Sequence, residues 1–395
     1  MFGITRERTE LESEILVQNP IWKYKFFVQR RAIKQFGKEK TDNVRAAELD
    51  QALRELRLKS FDETLIHDEE LAIASITARL LDAEEAITKE IERTEEVQQT
   101  LNKLQKAIDE LKDKTFGKVF TDLILKVEET GELLIVKAAL TMLEEWSAKE
   151  FNKREKRWAA FKVPHALDYQ NLVHLIHPEP ELSNVMRGAA SEMRRRDGFK
   201  LTDDRGTMRE ALYEIDYCMI CHERSKDACS TGLREPDGTP KRNPLGIKTE
   251  GCPLDEKISE MHLLKKQGDP IGSLALVTID NPMCAGTGHR ICNDCMKGCI
   301  FQKQEPVNIP LAETATLTDV LDLPYGFEIY SLLTRWNPLN AKRPYALPYN
   351  GKNVMVVGLG PAGYTLAQYL LNEGFGVVNF PLYQNMGGDQ FNLIN

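Results

Sequence analysis

The chain has 395 residues, of which 42% are hydrophobic and 28% charged, and its formal net charge at pH 7 is −8. The length predicts two to three domains. The acidic balance argues against nucleic acid as a partner, because phosphate binding needs a basic surface. No apolar run is long enough for a membrane span, and the first residues lack the apolar core of a signal peptide. We therefore expect a cytoplasmic protein.

The first 164 residues are predicted to be helical almost throughout, since Pro20 is the only proline before Pro164. Apolar residues recur every three or four positions from residue 73 to residue 111, which predicts a long amphipathic helix with coiled-coil character. Two interpretations remain open. In the first, residues 73–111 join copies of the chain into a homo-oligomer. In the second, the helix packs within its own helical domain. A helical lead-in is expected over residues 165–217.

All eight cysteines lie between residues 218 and 299; they are Cys218, Cys221, Cys229, Cys252, Cys284, Cys292, Cys295 and Cys299. Eight thiols are the number that two [4Fe–4S] clusters require, with four thiolates each. The spacing Cys-x2-Cys occurs twice and is also typical of zinc sites. The proline after Cys252 and the close grouping of the last three cysteines favour iron–sulfur clusters. Between Cys229 and Cys252, frequent glycines and prolines predict a surface loop.

Around the cysteines the sequence resembles a known family. The motifs Gly251-Cys-Pro, Asn281-Pro, Thr287-Gly-His-Arg and Glu305-Pro-Val-Asn-Ile occur in a characteristic order with the last three cysteines. This order is similar to that of the N-terminal iron–sulfur domain of the glutamate synthase small subunit and of dihydropyrimidine dehydrogenase. The resemblance covers about residues 215–378.

The resemblance implies an oxidoreductase with an α-helical ferredoxin-type domain, here residues 218–335, that holds two [4Fe–4S] clusters. In that family the cluster domain precedes an FAD domain and an NAD(P)H domain. Electrons would pass between the flavin and a redox partner domain or subunit.

The resemblance also implies an interleaved set of ligands. Cys218, Cys221, Cys229 and Cys299 would hold one cluster, and Cys252, Cys292 and Cys295 would hold the other. The family often has no cysteine at the position of Cys284, and some members use a glutamine or an acid near the position of Glu313. We expect Cys284 to be the eighth ligand, because thiolate is the softer donor. His222 and His289 are expected to donate N–H groups to sulfur.

A dinucleotide-binding fingerprint follows a linker at residues 336–350. Gly358 is expected to make the tight turn, Gly360 to let the backbone approach a pyrophosphate, and Gly363 to let helix and strand pack closely. Pro361 and Ala362 complete the motif in the form found in many flavoproteins. Because a strand is predicted before the motif and a helix after it, the sequence predicts an FAD site.

The nucleotide-binding pattern then stops. An acidic residue that would bind the ribose is expected near residues 379–382 and is absent there. Residues 351–395 are therefore predicted to be the truncated start of a Rossmann-like α/β domain. They would form one βαβ half-unit at most and be loosely docked. We expect a truncated or frame-shifted product rather than a self-sufficient enzyme.

The predicted protein is mainly α-helical and is the electron-transfer portion of an NAD(P)H- and FAD-dependent iron–sulfur oxidoreductase. No catalytic acid, base or nucleophile stands out in the sequence. The alternative is a non-enzymatic, zinc-stabilised helical scaffold whose nucleotide motif is vestigial.

Overall fold

The computed structural model describes residues 4–37, 47, 50–51, 67–91, 133–153, 155–164, 166–173, 175–188, 197–199, 206–224, 227–287, 291–380 and 392–394. These residues are mainly helical, which confirms the predicted fold class at that level. Contacts divide the chain into two compact units, residues 17–163 and residues 1–16 with 164–395. Within the described ranges, every helix is too short or too polar to cross a bilayer.

Helix α1 (Thr5–Leu16) belongs by its contacts to the unit that contains the cysteines. Gly268 lies against it so closely that a methyl group there would be 2.8 Å from Cγ of Glu12. Ile15 is buried. The N-terminal helical region expected over residues 1–164 therefore begins later, at residue 17.

The helical unit contains α2 (Asn19–Phe27), a π-helical turn (Val28–Ala32), α3 (Ile33–Phe36), α4 (Glu69–Ile91), α5 (Leu133–Lys153) and a 3-10 turn (Ala159–Phe161). Apolar side chains at helical spacing on α2, α4 and α5 face one another and form its core. At its centre the hydroxyl groups of Tyr24 and Ser147 lie 2.9 Å apart, so the buried phenol has a hydrogen-bond partner.

The predicted long helix is described as far as Ile91, in α4. Ile73, Ile76 and Leu80 are buried in the core of the helical unit, which also contains side chains from α2 and α5. The first part of the apolar stripe is thus used inside one chain. Residues 92–111 lie outside the described residues, and self-association through residues 73–111 stays a prediction.

Among the residues of the expected lead-in that the structure describes, the helical ones lie at its end, in α6 (Met208–Tyr217). Earlier, β1 (Leu175–Ile176) and β2 (Arg187–Gly188) pair as a short antiparallel ladder. Prolines in this stretch lack the N–H group that a helix interior uses and restrict the residue before them, which explains the difference.

Seven short helices follow: α7 (Ala228–Thr231), α8 (Ile258–Lys266), α9 (Pro270–Asp280), α10 (Cys284–Thr287), α11 (Asp294–Gly298), α12 (Ile309–Leu321) and α13 (Gly326–Arg335). Helices α8, α9 and α12 pack together around the buried side chains of Leu274, Ala312 and Val320. Side chains of Asp269 and Asn308 cap α9 and α12. The cysteines lie in the loops and short helices beside this packed group.

The expected linker at residues 336–350 is anchored at both ends. The Asn337 amide donates to the carbonyl oxygen of Ala275, 2.6 Å away, and the Leu347 N–H donates to the Asn372 carbonyl at 2.9 Å. After it, β3 (Asn353–Val357), α14 (Pro361–Asn372) and β4 (Gly376–Phe380) form a strand–helix–strand unit with β3 and β4 parallel. A further strand, β5 (Asn392–Ile394), pairs antiparallel with β4 and was not expected.

Candidate metal centre

Glycine residues allow the backbones of three cysteine-bearing segments to come into close contact. A methyl group at Gly298 would lie 2.6 Å from the carbonyl oxygen of Ala228 and 2.9 Å from Cα of Gly251. Because no real side chain tolerates such distances, only glycine lets the end of α11 approach the start of α7. The N–H group of Cys252 donates to the carbonyl oxygen of Cys229 at 2.8 Å. The backbone thereby holds Cys229, Cys252 and the Cys295–Cys299 region in one place.

Four thiols interact electrostatically and form what we call the first thiol set: Cys218, Cys221, Cys229 and Cys299. Burial, together with charges on Cys299 and Cys221, raises the pKa of Cys218 to about 11. Burial is also the main cause that raises the pKa of Cys229, and the other three thiols add to it. These interactions act over several ångströms and indicate that the four thiols share one region; among the described residues, the potential ligand atoms that lie within 4.8 Å of one another are instead those of His222, Asp227 and Glu260.

Three other thiols form the second thiol set: Cys252, Cys292 and Cys295. Burial raises the pKa of Cys252 to about 11, with contributions from charges on Glu256 and Cys292. The pKa of Cys295 is raised by burial first and then by charge on Cys252. This grouping has the same members as the ligand sets that the family resemblance implies, while ligation itself stays a prediction.

The two candidates for the eighth ligand interact with each other, and Glu313 also interacts with the second thiol set. Burial raises the pKa of Cys284 to about 12, and charge on Glu313 adds to this effect. Glu313 accepts a hydrogen bond from the Asn281 amide at 3.0 Å, and burial together with charge on Glu256 raises its pKa to about 8. Charge on Glu313 also acts on Cys295. Glu313 thus interacts with both Cys284 and Cys295, and the choice of the eighth ligand stays a prediction.

A repeated hydrogen-bond pattern surrounds the sulfur atoms. In four cysteines the thiol accepts from the N–H group two residues later, and these pairs are Cys218–Ile220, Cys252–Leu254, Cys292–Asp294 and Cys299–Phe301. The first of them has an N–Sγ distance of 3.4 Å. Each bond favours the thiolate and so lowers the pKa against the effect of burial. Such donors orient and stabilise thiolate ligands of a metal.

The first of these loops is strained. Ile220 has φ of +46°, a left-handed conformation that a β-branched side chain rarely adopts. This conformation accompanies the hydrogen bond from the Ile220 N–H group to Cys218. Backbone strain of this kind persists where the surrounding structure enforces it, often at functional sites.

The histidine beside Cys221 has a different role from the one expected. Nδ1 of His222 lies 2.7 Å from a carboxylate oxygen of Glu260 and 3.9 Å from one of Asp227, so this nitrogen faces carboxylates rather than sulfur. Asp227 in turn lies 3.6 Å from Sγ of Cys229. Sequence spacing does not reveal either acid, because residues 227 and 260 come near His222 only through folding. His289 lies outside the described residues.

The donor set is compatible with iron–sulfur clusters. Four of the eight cysteines are buried and three are half-buried, with Cys292 the exposed one. Thiolates in partly buried loops with N–H donors to sulfur match the ligand chemistry of [4Fe–4S] clusters, and soft thiolates also bind zinc. The residues present therefore fit either group by ligand type, and the count of eight fits two clusters.

The glycines of the nucleotide motif occupy the positions that a phosphate-binding turn needs. Gly358 has φ of +105°, and a methyl group at Gly363 would lie 1.9 Å from the carbonyl oxygen of Gly358. A methyl group at Gly360 would meet open space, and Pro361 is the first residue of α14. The turn is therefore compatible with a pyrophosphate at the helix N-terminus. At the end of β4 the buried Asn379 stands where an acid is expected.

Helix α14 is fixed to the cysteine-containing part by tyrosine hydroxyl groups. Tyr364 donates to the carbonyl oxygen of Gly286 at 2.5 Å, and Tyr369 donates to that of Asp280 at 2.7 Å. Gly286 lies in α10, the helix that begins at Cys284. These contacts join α14 to the helix that begins at Cys284, while loose docking of residues 351–395 stays a prediction.

No family model matches the chain, and no solved structure matches it. It is similar in part to two proteins of Rickettsia prowazekii (strain Madrid E). Uncharacterized protein RP006 is 60% identical over 95 residues, which are 24% of this chain and 14% of that protein. Uncharacterized protein RP005 is 30% identical over 135 residues, which are 32% of this chain and 40% of that protein. The chain thus spans less than half the length of either relative, and neither name states a function.

Proposed function

We propose that the protein is the electron-transfer portion of an iron–sulfur oxidoreductase that uses NAD(P)H and FAD in its intact form. The observation that carries this proposal is the close backbone packing of the Cys229, Cys252 and Cys295–Cys299 segments around Gly298, which brings thiols of both sets into one region. A pair of [4Fe–4S] clusters uses eight thiolates and supplies one-electron transfer when bound. The proposed compartment is the cytoplasm.

The protein's own residues would hold and tune such centres. The N–H groups of Ile220, Leu254 and Phe301 donate to sulfur and stabilise negative charge on it. Burial of Cys229 and Cys295 keeps water away and lowers the local dielectric constant. Hydrogen bonds to sulfur and exclusion of solvent are the two means by which a protein sets a cluster's reduction potential.

The nucleotide motif supports a flavin on the side of the second thiol set. Tyr364, three residues after Pro361, donates to Gly286 in the helix that starts at Cys284. A cofactor bound at the Gly358–Gly363 turn would therefore lie near the helix that starts at Cys284. The direction of electron flow that we propose is from flavin to the second set, then to the first set and to a partner.

Reduction of the anaerobically purified full chain tests this function. We expect visible absorbance that dithionite bleaches and that a mild oxidant restores, together with electron paramagnetic resonance signals from reduced [4Fe–4S] clusters. A zinc-stabilised scaffold has neither property, because zinc does not change its oxidation state. A colourless protein with bound zinc and no signal after reduction would contradict the proposal and favour the scaffold.

A further inference from the structure

The stretch predicted to be a surface loop between Cys229 and Cys252 has a regular form. Antiparallel bridges pair Arg234 with Pro240 and Arg242 with Lys248. The N–H group of Lys241 donates to the carbonyl oxygen of Leu233 at 2.8 Å, and the N–H group of Thr249 donates to the carbonyl oxygen of Lys241 at 2.9 Å. Residues 233–249 therefore form a ribbon of three short extended segments, which we call the basic ribbon.

The basic ribbon is rigid at its turns. The Asp237 carboxylate accepts from the Thr239 N–H group at 2.9 Å, and the Asn243 side chain accepts from the N–H groups of Leu245 and Ile247 at 3.0 and 2.9 Å. Side chains of this type that hydrogen-bond the backbone two residues on fix a turn. The ribbon thus presents its side chains in a defined arrangement.

The ribbon is joined directly to both thiol sets. A methyl group at Gly232 would lie 2.5 Å from the carbonyl oxygen of Glu250, so the two ends of the ribbon are in contact. Cys229 lies three residues before Gly232, and Cys252 lies three residues after Thr249. Three residues of extended chain span at most about 11 Å, which brings the base of the ribbon near both sets.

The ribbon's charge is opposite to that of the whole chain. Residues 233–249 contain four basic residues, Arg234, Lys241, Arg242 and Lys248, and two acidic ones, Glu235 and Asp237, which gives the ribbon a net charge of +2, whereas the chain carries a net charge of −8. Arg242 and Lys248 are direct cross-strand partners, an arrangement of like charges that destabilises a ribbon. The carboxylate of Glu250 lies 3.6 Å from the Lys248 amino group and partly offsets this repulsion.

Two aliphatic side chains are exposed among these cations. Leu245 is 50% exposed and Ile247 is 43% exposed. Apolar contact area surrounded by charge of one sign is the composition of a surface that binds an oppositely charged protein, since charge directs the encounter and apolar contact holds the complex.

We propose that the basic ribbon is the docking site of a small acidic electron-carrier protein, which exchanges electrons with the centre at the first thiol set. This inference rests on the proposed function. An anionic partner would relieve the repulsion between Arg242 and Lys248 and cover Leu245 and Ile247. Nucleic acid is disfavoured, because residues 240–248 offer few cations and no aromatic side chain for stacking on bases.

Binding of an acidic plant-type [2Fe–2S] ferredoxin to the full chain, measured by calorimetry at low salt, tests the inference. The test variant carries Lys241→Glu, Arg242→Glu and Lys248→Glu, and a second variant carries Gln at the same positions in case charge reversal disturbs the ribbon. The matched control carries Lys342→Glu and Lys352→Glu, which are exposed lysines outside the ribbon. We expect binding that weakens with salt, and a loss of about tenfold or more in affinity for the test variant alone.

Equal binding by the wild type and both ribbon variants, no binding by the wild type, or equal weakening by the control would overturn the inference. So would tighter binding of a single-stranded oligonucleotide through the same lysines, or a concentration-dependent dimer that the ribbon variants abolish. Because binding does not require reducible clusters, iron content and reducibility of the same samples report separately on the proposed function.

Discussion

At Gly298 the architecture of the metal centre is sensitive to a single methyl group. The Cα of Gly298 faces the carbonyl oxygen of Ala228 and the Cα of Gly251, both of which are backbone atoms that cannot rotate away. The Cys229, Cys252 and Cys299 segments meet at this point. The distances between the thiol sets therefore depend on the absence of a side chain.

We expect Gly298→Ala to separate these segments and to lower the bound iron of the purified protein by more than half, as well as the thermal midpoint. Overpacking of this kind costs about 1–3 kcal/mol or more when only backbone can move. Gly188→Ala is the matched control, because a methyl group there meets nothing within 4 Å. Full iron content in Gly298→Ala would show that the segments do not meet as described.

Replacement of Cys299 tests which thiols belong to the first set and which to the second. It lies just after α11, close in sequence to Cys295, yet its charge acts on Cys218, Cys221 and Cys229. We expect Cys299→Ser to abolish the electron paramagnetic resonance signal of the first set and to leave that of the second. Cys295→Ser is the matched comparison and should do the reverse. Loss of the opposite signal in either variant would refute the grouping.

His262 makes stability depend on pH. Both ring nitrogens are buried and have no hydrogen-bond partner among the described residues, and burial lowers the pKa of this histidine from 6.5 to about 4. Between these values the unfolded chain binds a proton that the folded chain does not. The contribution of neutral His262 to the free energy of unfolding is complete above the pKa of the unfolded state. It is lost as pH falls towards the pKa of the folded state, by at most about 3 kcal/mol.

Replacement His262→Leu should therefore remove part of the loss of stability that the wild type shows between about pH 7 and pH 5. Urea midpoints of the two proteins across this range measure the effect, and their difference should grow as pH falls. His177→Leu, at an exposed position of the same unit, is the control and should follow the wild type. A difference that stays constant with pH would exclude the role of His262.

At the scale of elements, the nucleotide motif is well formed but its sheet exposes apolar side chains. Met355 is 64% exposed and Val357 is 57% exposed, although both lie in β3 beside the glycine turn. A helix N-terminus binds phosphate well only when a packed sheet holds it rigidly. The buried Asn379 also replaces the acid that would bind a ribose hydroxyl group.

We therefore expect this chain by itself to bind FAD weakly, with no flavin retained through gel filtration. Tyr364→Phe should weaken it further, because it removes the hydrogen bond to Gly286 that fixes α14. Fluorescence titration with FAD measures both proteins. Stoichiometric, tightly held FAD in the purified chain would contradict this prediction.

The sequence predicts the turns and helix starts of the site better than it predicts the contacts between distant segments. The turn at Gly358 and the helix start at Pro361 were predicted, because glycine freedom and proline geometry act within a few residues. The N–H donors to sulfur and the carboxylates around His222 were not, because they depend on distant segments. The basic ribbon has turn residues but no strand periodicity, so the sequence predicts a loop where the structure has a ladder.

At the scale of the whole molecule, the chain separates its cysteines from a helical unit of 17–163 that contains none. The first helix, α1, joins the cysteine-containing unit, which sequence periodicity did not predict. Helical spacing identifies a helix but not the unit against which it packs. The proposed redox function therefore belongs to residues 1–16 and 164–395, and the role of the helical unit in self-association stays a prediction.

Iron, acid-labile sulfide and zinc in the anaerobically purified full chain test the central claim most directly. Two [4Fe–4S] clusters on the two thiol sets predict about eight iron and about eight sulfide per chain, with little zinc. About two zinc per chain with no sulfide would contradict the claim, since eight thiolates then serve two structural zinc sites.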